Sequence, residues 1–155
     1  MKAIIQRVNC AAVRVEEKTV GEIEKGFLIL LGVNETDGEA EATLLARKVS
    51  DLRVFTDEND KMNLSLLDIN GEALVVSNFT LCADTKKGNR PSFANAMGPS
   101  EANRLYEFFC QELAKNGVKN VQTGEFGADM RVLMEGNGPV TIVLDTDIWV
   151  KKNGN

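Results

Sequence analysis

Apolar and polar residues alternate over much of the first part of the chain, which predicts β-strands. Residues 2–8 mix the two classes, and residues 12–16 alternate them. Residues 19–24 have the composition of a hairpin partner for the second of these segments. Residues 27–33 are nearly all apolar, as is typical of a strand buried on both faces. The chain therefore opens with a β-rich region that ends in a central strand.

Two later segments show the periodicity of amphipathic helices. The first begins near Thr36, which has capping-box spacing to Glu39. Its apolar face consists of Ala42, Leu45, Ala46, Val49 and Leu52. The second is expected over residues 100–116, followed by Gly117, a residue type favoured just beyond a helix C-terminus. Its apolar face consists of Ala102, Leu105, Tyr106, Phe109 and Leu113.

The remaining apolar runs are short and predict further strands. Asn70-Gly71 is the pair favoured in a two-residue hairpin turn, so we expect strands at residues 66–69 and 72–77. Other strands are expected near residues 53–56, 120–123, 130–134 and 140–144. Because the strands come in hairpins, the pattern predicts one α+β domain over residues 1–155. Its sheet is expected to be mainly antiparallel and curled into a barrel or sandwich, with two principal helices and a frayed tail at residues 151–155.

The composition is that of a soluble globular protein, with 43% hydrophobic and 26% charged residues. No apolar stretch approaches the about 18–20 residues needed to cross a bilayer. Residues 1–7 lack a signal-peptide pattern. We therefore expect a cytoplasmic protein with no membrane partner.

The net charge of −5 disfavours indiscriminate binding to nucleic acid, for which a basic surface is usual. A local basic patch is compatible with this net charge. Lys86, Lys87 and Arg90 lie close together in the chain and are one candidate. The alternative interpretation of this segment is an ordinary solvated loop.

The chain contains no histidine, so the commonest general base and the most frequent metal ligand are both missing. The three cysteines, Cys10, Cys82 and Cys110, are odd in number and lack metal-site spacing. Cys82 could be a thiol nucleophile, but no histidine is present to activate it, and a small apolar strand residue is the simpler interpretation. We expect no cofactor and no metal.

Residues 77–81 end an apolar run with a cluster of polar side chains. If the segment stays extended, Asn78 and Thr80 share one face, whereas Phe79 and Leu81 share the other. In an extended strand, Ser77 would lie on the same face as Phe79, but it lies where the segment can turn. An amide beside a hydroxyl can bind a polar ligand. The same pair is also compatible with an exposed strand surface, since Ser is frequent at strand ends.

Gly138-Pro139 is a second unusual segment. Proline cannot donate to a sheet, and glycine lets a ligand approach the main chain closely. The pair can therefore form a stiff unit that presents carbonyl oxygens with no side chain in the way. A plain turn before the last strand is the alternative, and the sequence leaves the peptide configuration open.

The pattern resembles one family, the D-aminoacyl-tRNA deacylases that bear a Gly-cisPro motif. The resemblance covers nearly the whole chain. The matching segments are residues 6–8, 31–33, 61–64, 77–81, 90–93, 123–124, 126–130 and 137–141. One departure is Asn78, where the family usually has glutamine. The asparagine side chain is one methylene shorter, which leaves the role of position 78 open.

The resemblance implies hydrolysis of the ester that joins a D-amino acid to tRNA, or glycine to a non-cognate tRNA. It also implies a homodimer in which the Gly-cisPro motif of each subunit reaches into its partner's pocket. By this match, the carbonyls of Gly138 and Pro139 would hold the α-ammonium group of the substrate. They would also leave no room for an L side chain, and a rigid wall of this kind rejects by steric cost.

Two sources of a nucleophile remain open. Thr80 is the obvious protein hydroxyl and Ser77 the second candidate, but no base is visible for either. The alternative is that the neighbouring ribose 2′-hydroxyl of the tRNA assists, directly or by orienting a water. The protein would then supply positioning, and the N–H groups near Phe79 and Thr80 would stabilise the developing oxyanion.

The resemblance also suggests roles for three further residues. Arg7 could bond to the Gly-Pro loop and hold it in place, or it could be the exposed residue of an edge strand. Phe93 and Met130 could wall the adenosine pocket, or they could pack in the core.

Two competing functions stay open. The chain could be a non-catalytic tRNA-binding dimer on the same scaffold, which only the Asn78 departure favours. It could also be a related editing enzyme that acts on an L-aminoacyl-tRNA, which would require a trans bond before Pro139.

Overall fold

Residues 1–150 are described by a computed structural model, and the tail at 151–155, which we expect to fray, lies outside the described residues. The strands are β1 Lys2–Val15, β2 Lys18–Ile23, β3 Gly26–Gly32, β4 Phe55–Thr56, β5 Met62–Leu64, β6 Glu72–Ser77, β7 Val121–Thr123 and β8 Arg131–Asp145. The helices are α1 Glu39–Asp51 and α2 Pro99–Lys115. Within residues 1–150, neither helix is long and apolar enough to span a bilayer.

The long strand β1 organises the main sheet. Its first half pairs with β3 and its second half with β2, and β8 pairs along its other edge, all antiparallel. Beyond β3, the sheet continues through β6 to β7 by parallel pairing. The strands at the two ends of this order, β2 and β7, approach each other closely. A Cβ on Gly21 of β2 would clash with the carbonyl oxygen of Thr123 in β7. The sheet is thus nearly closed into a barrel.

Two hydrophobic clusters form on opposite sides of this sheet. The larger lies between the sheet and the helices and includes Phe27, Leu45, Leu105 and Phe109, all fully buried. The smaller fills the barrel and consists of Val8, Ala11, Val13, Ile23, Leu28, Leu74 and Val76. Because β3 and β6 face both clusters, their sequences are continuously apolar rather than alternating.

The α+β class with two principal helices is confirmed, and two details of the prediction are corrected. The sheet is mixed rather than mainly antiparallel, because the connections from β3 to β6 and from β6 to β7 each pass through a helix. Parallel neighbours need such a crossover. The first helix begins at Glu39 rather than near Thr36, with Gly38 as its N-cap and the carboxylate of Glu41 accepting the Gly38 N–H at 2.7 Å.

The hairpin expected around Asn70-Gly71 is also absent from the described residues. Residues 65–70 instead form a helical turn, which starts where Ser65 and Asp68 cap each other's N–H groups at 2.8 and 3.1 Å. The turn ends at Asn70, whose φ is +51°, and the Gly71 N–H donates to the Leu66 carbonyl at 2.9 Å. A left-handed residue followed by this bond is a helix C-terminal motif, and Asn-Gly suits it as well as it suits a hairpin.

Candidate functional site

A cleft of about 580 Å³ opens where β6 ends, between the segment that follows this strand and the start of α2. We call it the first cleft. The residues that line it include Ser77, Asn78, Phe79, Phe93, Phe126 and Met130. Its wall is mainly apolar, with a polar stretch at the end of β6. Such a combination suits a ligand that has a flat apolar part and a polar part.

The polar stretch is a turn rather than an extended segment. β6 ends at Ser77, and Phe79–Cys82 forms one 3-10 turn with Asn78 as its N-cap. The Asn78 amide oxygen accepts the Thr80 N–H at 3.3 Å and also a hydrogen bond from the Thr80 hydroxyl. The expected alternation of faces over residues 77–81 is therefore wrong, because asparagine is a preferred capping residue and bends the chain.

The turn exposes one aromatic ring to the cleft. The Phe79 side chain is 57% exposed, and its ring stands edge-on to that of Phe93 with centroids 5.1 Å apart. Met130 lies in the same wall, close to Gly124, where a Cβ would come within 2.7 Å of the Met130 sulfur. Phe93 and Met130 thus lie at a cleft surface, and neither belongs to the fully buried core.

A second cleft of about 450 Å³ adjoins the first. The two share Ser77, Asn78, Ala128 and Met130, and the second is also lined by Gln6 of β1 and Met134 of β8. The Gln6 side-chain oxygen accepts the Thr141 hydroxyl at 2.9 Å. The end of β6 therefore stands between two cavities, so groups bound in the two could meet at Ser77 and Asn78.

Gly138 and Pro139 lie on a bulge of β8 rather than in a plain turn. The register with β1 pairs Gln6 with Thr141 and Val8 with Gly136, so four residues of β8 stand opposite Arg7. The peptide bond between Gly138 and Pro139 is cis, and both residues are exposed. Among residues 1–150, neither is part of the lining of the two clefts. A single chain therefore does not bring this motif to Thr80 or Phe93.

Arg7 holds the base of this bulge. Its guanidinium donates to the Asn137 carbonyl at 3.0 Å, to the Asn137 side-chain oxygen at 3.3 Å and to the Val54 carbonyl at 2.7 Å. Asn137 in turn donates to the side-chain oxygen of Asn9 at 3.0 Å. Arg7 is half-buried, and β1 has neighbours on both edges, so it is not the exposed residue of an edge strand.

The cysteines offer no activated thiol near the clefts. Cys82 is buried, and this burial raises the pKa of its thiol. Burial likewise raises the pKa of Cys110 to about 12. Both thiols are therefore protonated at neutral pH, which makes them poor nucleophiles. Within residues 1–150, no cluster of three or more carboxylates and thiols could hold a metal ion.

Two contributors were missed by the sequence reasoning. Asn137 orients the bulge through Arg7, and Phe126 lines the first cleft. Asn137 precedes the Gly-Pro pair, so its position was visible, but nothing in its residue type indicated a bond to Arg7. Phe126 begins a matching segment of the family resemblance, which gave it no role.

The site can be compared with known proteins. Residues 4–145 match a protein-family model described as D-Tyr-tRNA(Tyr) deacylase. A D-aminoacyl-tRNA deacylase from Lactobacillus delbrueckii subsp. bulgaricus is 54% identical over 94% of this chain and 99% of its own. One from Pseudoalteromonas translucida is 56% identical over 93% of this chain and 99% of its own. A solved structure named c-Myc DNA Unwinding Element Binding Protein has a TM-score of 0.89 and 39% identity, covering 94% of this chain and 98% of its own.

Proposed function

The chain belongs to the D-Tyr-tRNA(Tyr) deacylase family, and we propose that it hydrolyses the ester of D-aminoacyl-tRNA and of glycyl-tRNA mischarged on a non-cognate tRNA. The products are the free amino acid and tRNA. The observation that carries the assignment of the site is the pair of adjoining clefts at the end of β6. The first cleft is large and apolar enough for a nucleoside, and the polar segment at the end of β6 lies between the two clefts.

We place the terminal adenosine of the tRNA in the first cleft. Phe79 and Phe93 present aromatic surface there, and Met130 completes the apolar wall. RNA bases that are free of pairing are commonly bound by stacking on aromatic side chains. With the base in this cleft, the ester-linked amino acid extends past Ser77 and Asn78 toward the second cleft.

The second cleft would receive the Gly-Pro motif of a partner subunit. Gly138 and Pro139 are exposed, and Arg7 bonds to the preceding residue Asn137, yet the two residues line neither cleft of their own chain within residues 1–150. Exposed apolar side chains lie on the same strand: Val132, Leu133, Met134 and Val143. An apolar strand surface of this kind favours contact with a second copy, so we propose a homodimer.

In this arrangement, main-chain carbonyls select the substrate's chirality. The carbonyls of Gly138 and Pro139 would accept hydrogen bonds from the α-ammonium group. An L side chain would then point into the rigid backbone, whereas a D side chain would point away. Glycine would be hydrolysed as well, because it has no side chain to exclude.

In the proposed mechanism, the nucleophile is activated by a group of the substrate and not by a protein side chain. The Thr80 hydroxyl donates to the Asn78 amide oxygen, which is not a base, and Ser77 has no histidine to activate it. We therefore propose that the tRNA 2′-hydroxyl assists a water that adds to the ester carbonyl. The bond to the ribose oxygen then breaks as that oxygen takes a proton.

The turn at residues 79–82 supplies one group for the developing oxyanion. The Thr80 N–H is used by Asn78 at 3.3 Å. The Phe79 N–H is at the first position of the turn, where no acceptor exists within the turn itself. Phe79 is accordingly the better of the two oxyanion donors. Because its proposed substrate is an aminoacyl-tRNA, we propose that the protein is a cytoplasmic tRNA-binding enzyme.

The test is deacylation of D-Tyr-tRNA, L-Tyr-tRNA and D-Tyr-tRNA lacking the terminal 2′-hydroxyl. We expect D-Tyr-tRNA to be hydrolysed at least about 100-fold faster than the L form. We expect loss of the 2′-hydroxyl to slow hydrolysis by about 100-fold or more. Binding of all three without hydrolysis would identify a non-catalytic dimer. Faster hydrolysis of an L substrate such as L-Ala-tRNA would identify the alternative editing enzyme.

A further inference from the structure

Residues 84–92 form an exposed loop at the rim of the first cleft, which we call the basic loop. Its base is closed by two backbone hydrogen bonds between Asp84 and Ser92, at 2.7 and 2.9 Å. The loop begins two residues after the 3-10 turn Phe79–Cys82 and ends beside Phe93. Phe93 and the first residue of the turn, Phe79, both line the cleft, so the loop lies next to it.

The loop carries three cations with no anionic partner. Lys86, Lys87 and Arg90 are exposed, and none of them forms an ion pair within residues 1–150. The one acid of the loop, Asp84, is half-buried, and its carboxylate accepts the Lys86 N–H at 2.9 Å. Gly88, with φ of +67° and nothing within 4 Å of where a Cβ would be, forms an open tip.

This concentration of positive charge contrasts with the molecule as a whole, whose net charge is −5. A polyanion such as tRNA is repelled by that net charge and needs a local region of opposite sign at the place where it binds. The basic loop is such a region, and it is next to the cleft that we assign to the terminal adenosine. Nucleotides that precede this adenosine have to leave the cleft past its rim.

We propose that the basic loop binds backbone phosphates of the tRNA acceptor end, through Lys86, Lys87 and Arg90. The inference rests on the proposed function, because it takes the adenosine to occupy the first cleft. Contacts of this kind contribute affinity and position the strand, but they carry no base specificity. The loop therefore lets an acidic protein accept many tRNA sequences while the clefts select the aminoacyl group.

The test compares two substrates with the triple variant K86A/K87A/R90A. One substrate is D-Tyr-tRNA, and the other is the D-tyrosyl ester of adenosine, which has the cleft-binding part and no phosphates. For D-Tyr-tRNA, we expect KM to rise at least about tenfold and the dependence of log(kcat/KM) on log salt to become shallower by about 2, as for three lost phosphate contacts. For the adenosine ester, we expect kcat/KM to change less than about twofold.

The matched control is K18A/K61A/K119A, which removes three exposed lysines that line neither cleft. It changes the net charge by the same amount as K86A/K87A/R90A. We expect kcat/KM for both substrates to stay nearly unchanged. An equal effect of the two triple variants on D-Tyr-tRNA would overturn the inference in favour of the bulk charge. A loss on the adenosine ester as large as that on D-Tyr-tRNA would also overturn it, since the loop would then act on the cleft.

The wild-type protein gives an independent measurement that needs no variant. Its kcat/KM should fall with salt for D-Tyr-tRNA and stay nearly constant for the adenosine ester, and equal salt dependence would contradict the inference. If the wild-type protein hydrolyses neither substrate, the proposed function fails. If it hydrolyses both and the basic-loop variant behaves like the wild type, the function stands and the inference about the loop fails.

Discussion

At the scale of single residues, Gly138 combines a positive φ with a close backbone neighbour. Its φ is +142°, a region that L side chains rarely adopt. A Cβ there would lie 2.5 Å from the Val140 N and 2.9 Å from a Val140 methyl carbon. Only glycine therefore fits without moving the bulge that carries the proposed substrate contacts.

Gly138→Ala is expected to lower kcat/KM for D-Tyr-tRNA by about 100-fold, because a displacement of the motif by about 1 Å is enough for such a loss. Gly136→Ala is the matched control. A Cβ at position 136 would meet only the end of the flexible Met134 side chain, at 3.1 Å. Steady-state kinetics of both variants check the prediction, and equal activities would contradict it.

Thr80→Ala is expected to retain deacylation within about tenfold of the wild type, because the hydroxyl is bonded to an amide and has no base. The Asn78 cap on the backbone N–H of residue 80 persists in this variant. Single-turnover hydrolysis of D-Tyr-tRNA is the measurement, with Thr80→Ser as the control. A loss of a thousandfold or more in Thr80→Ala alone would identify the hydroxyl as the nucleophile.

Residue types predicted the site segments better than they predicted their conformations. The sequence identified residues 77–81, of which Ser77, Asn78 and Phe79 line the first cleft, and Gly138-Pro139, which lies on the bulge. It did not predict that Asn78 would cap a turn, since asparagine is compatible with both strand ends and caps. The resemblance indicated that Arg7 could bond to the Gly-Pro loop, but the individual acceptors were not predictable, because two of them are main-chain carbonyls, which no residue type encodes.

At the scale of elements, the strands are longer than the sequence pattern indicates. Residues 2–8 and 12–16 were expected to be separate, but β1 runs unbroken over Lys2–Val15. Asn9 and Cys10 interrupt the apolar pattern because they lie between the β3 and β2 pairings and are exposed. β8 is continuous through Gly138 and Pro139, although the sequence pattern predicts two separate strands there. Glycine and proline occur both in bulges and in turns, so these residue types do not distinguish the two.

A buried ion pair ties the start of β1 to the loop before α1. The α-ammonium group of Met1 lies 2.6 Å from a carboxylate oxygen of Asp37 and donates to the Thr146 hydroxyl at 2.8 Å. Both ionic groups are almost fully buried. Removing one partner of such a pair leaves an uncompensated buried charge, which is strongly destabilising.

Asp37→Asn is therefore expected to lower the free energy of unfolding by about 3–5 kcal/mol. The control is Glu39→Gln, which breaks an exposed pair with Arg104 and should cost less than about 1 kcal/mol. Urea unfolding followed by circular dichroism measures both. Similar midpoints for the two variants would contradict the expected difference.

At the scale of the whole molecule, the sequence predicted the α+β class and a sheet curled into a barrel or a sandwich, but not the order of strands. Hairpin pairing is local, so the pairing of β1 with β2 was predictable from their adjacency in the chain. The parallel neighbours β3 and β6 are separated by a helix and a small second sheet, and no local pattern specifies which strands meet across such a distance. The clefts depend on this long-range arrangement, so their shape was not predictable either.

A substitution in the second cleft tests the proposed dimer. Met134→Glu places a charge on a residue that is 41% exposed and lines this cleft. It is expected to produce a monomer and to lower kcat/KM for D-Tyr-tRNA by at least about 100-fold, because an unpaired charge in an apolar interface is costly. Val20→Glu, with the same 41% exposure on β2, is the control and should stay dimeric.

Sedimentation equilibrium of both variants, together with the wild-type protein, decides the outcome. A wild-type protein that sediments as a monomer at micromolar concentration and is fully active would contradict the dimer. A Met134→Glu variant that is monomeric and fully active would contradict the role of the partner's Gly-Pro motif.

The pairing of β1 with β8 has a consequence for biosynthesis. Strand β1 is translated before β8 and lacks this neighbour until Arg131–Asp145 has been translated. At about 5–20 residues per second, that interval is on the order of 10 s. During it, β1 offers an unpaired edge to other nascent chains, a recognised hazard for aggregation. A premature stop before β8 would make this vulnerability permanent, so truncated products should be insoluble and quickly degraded.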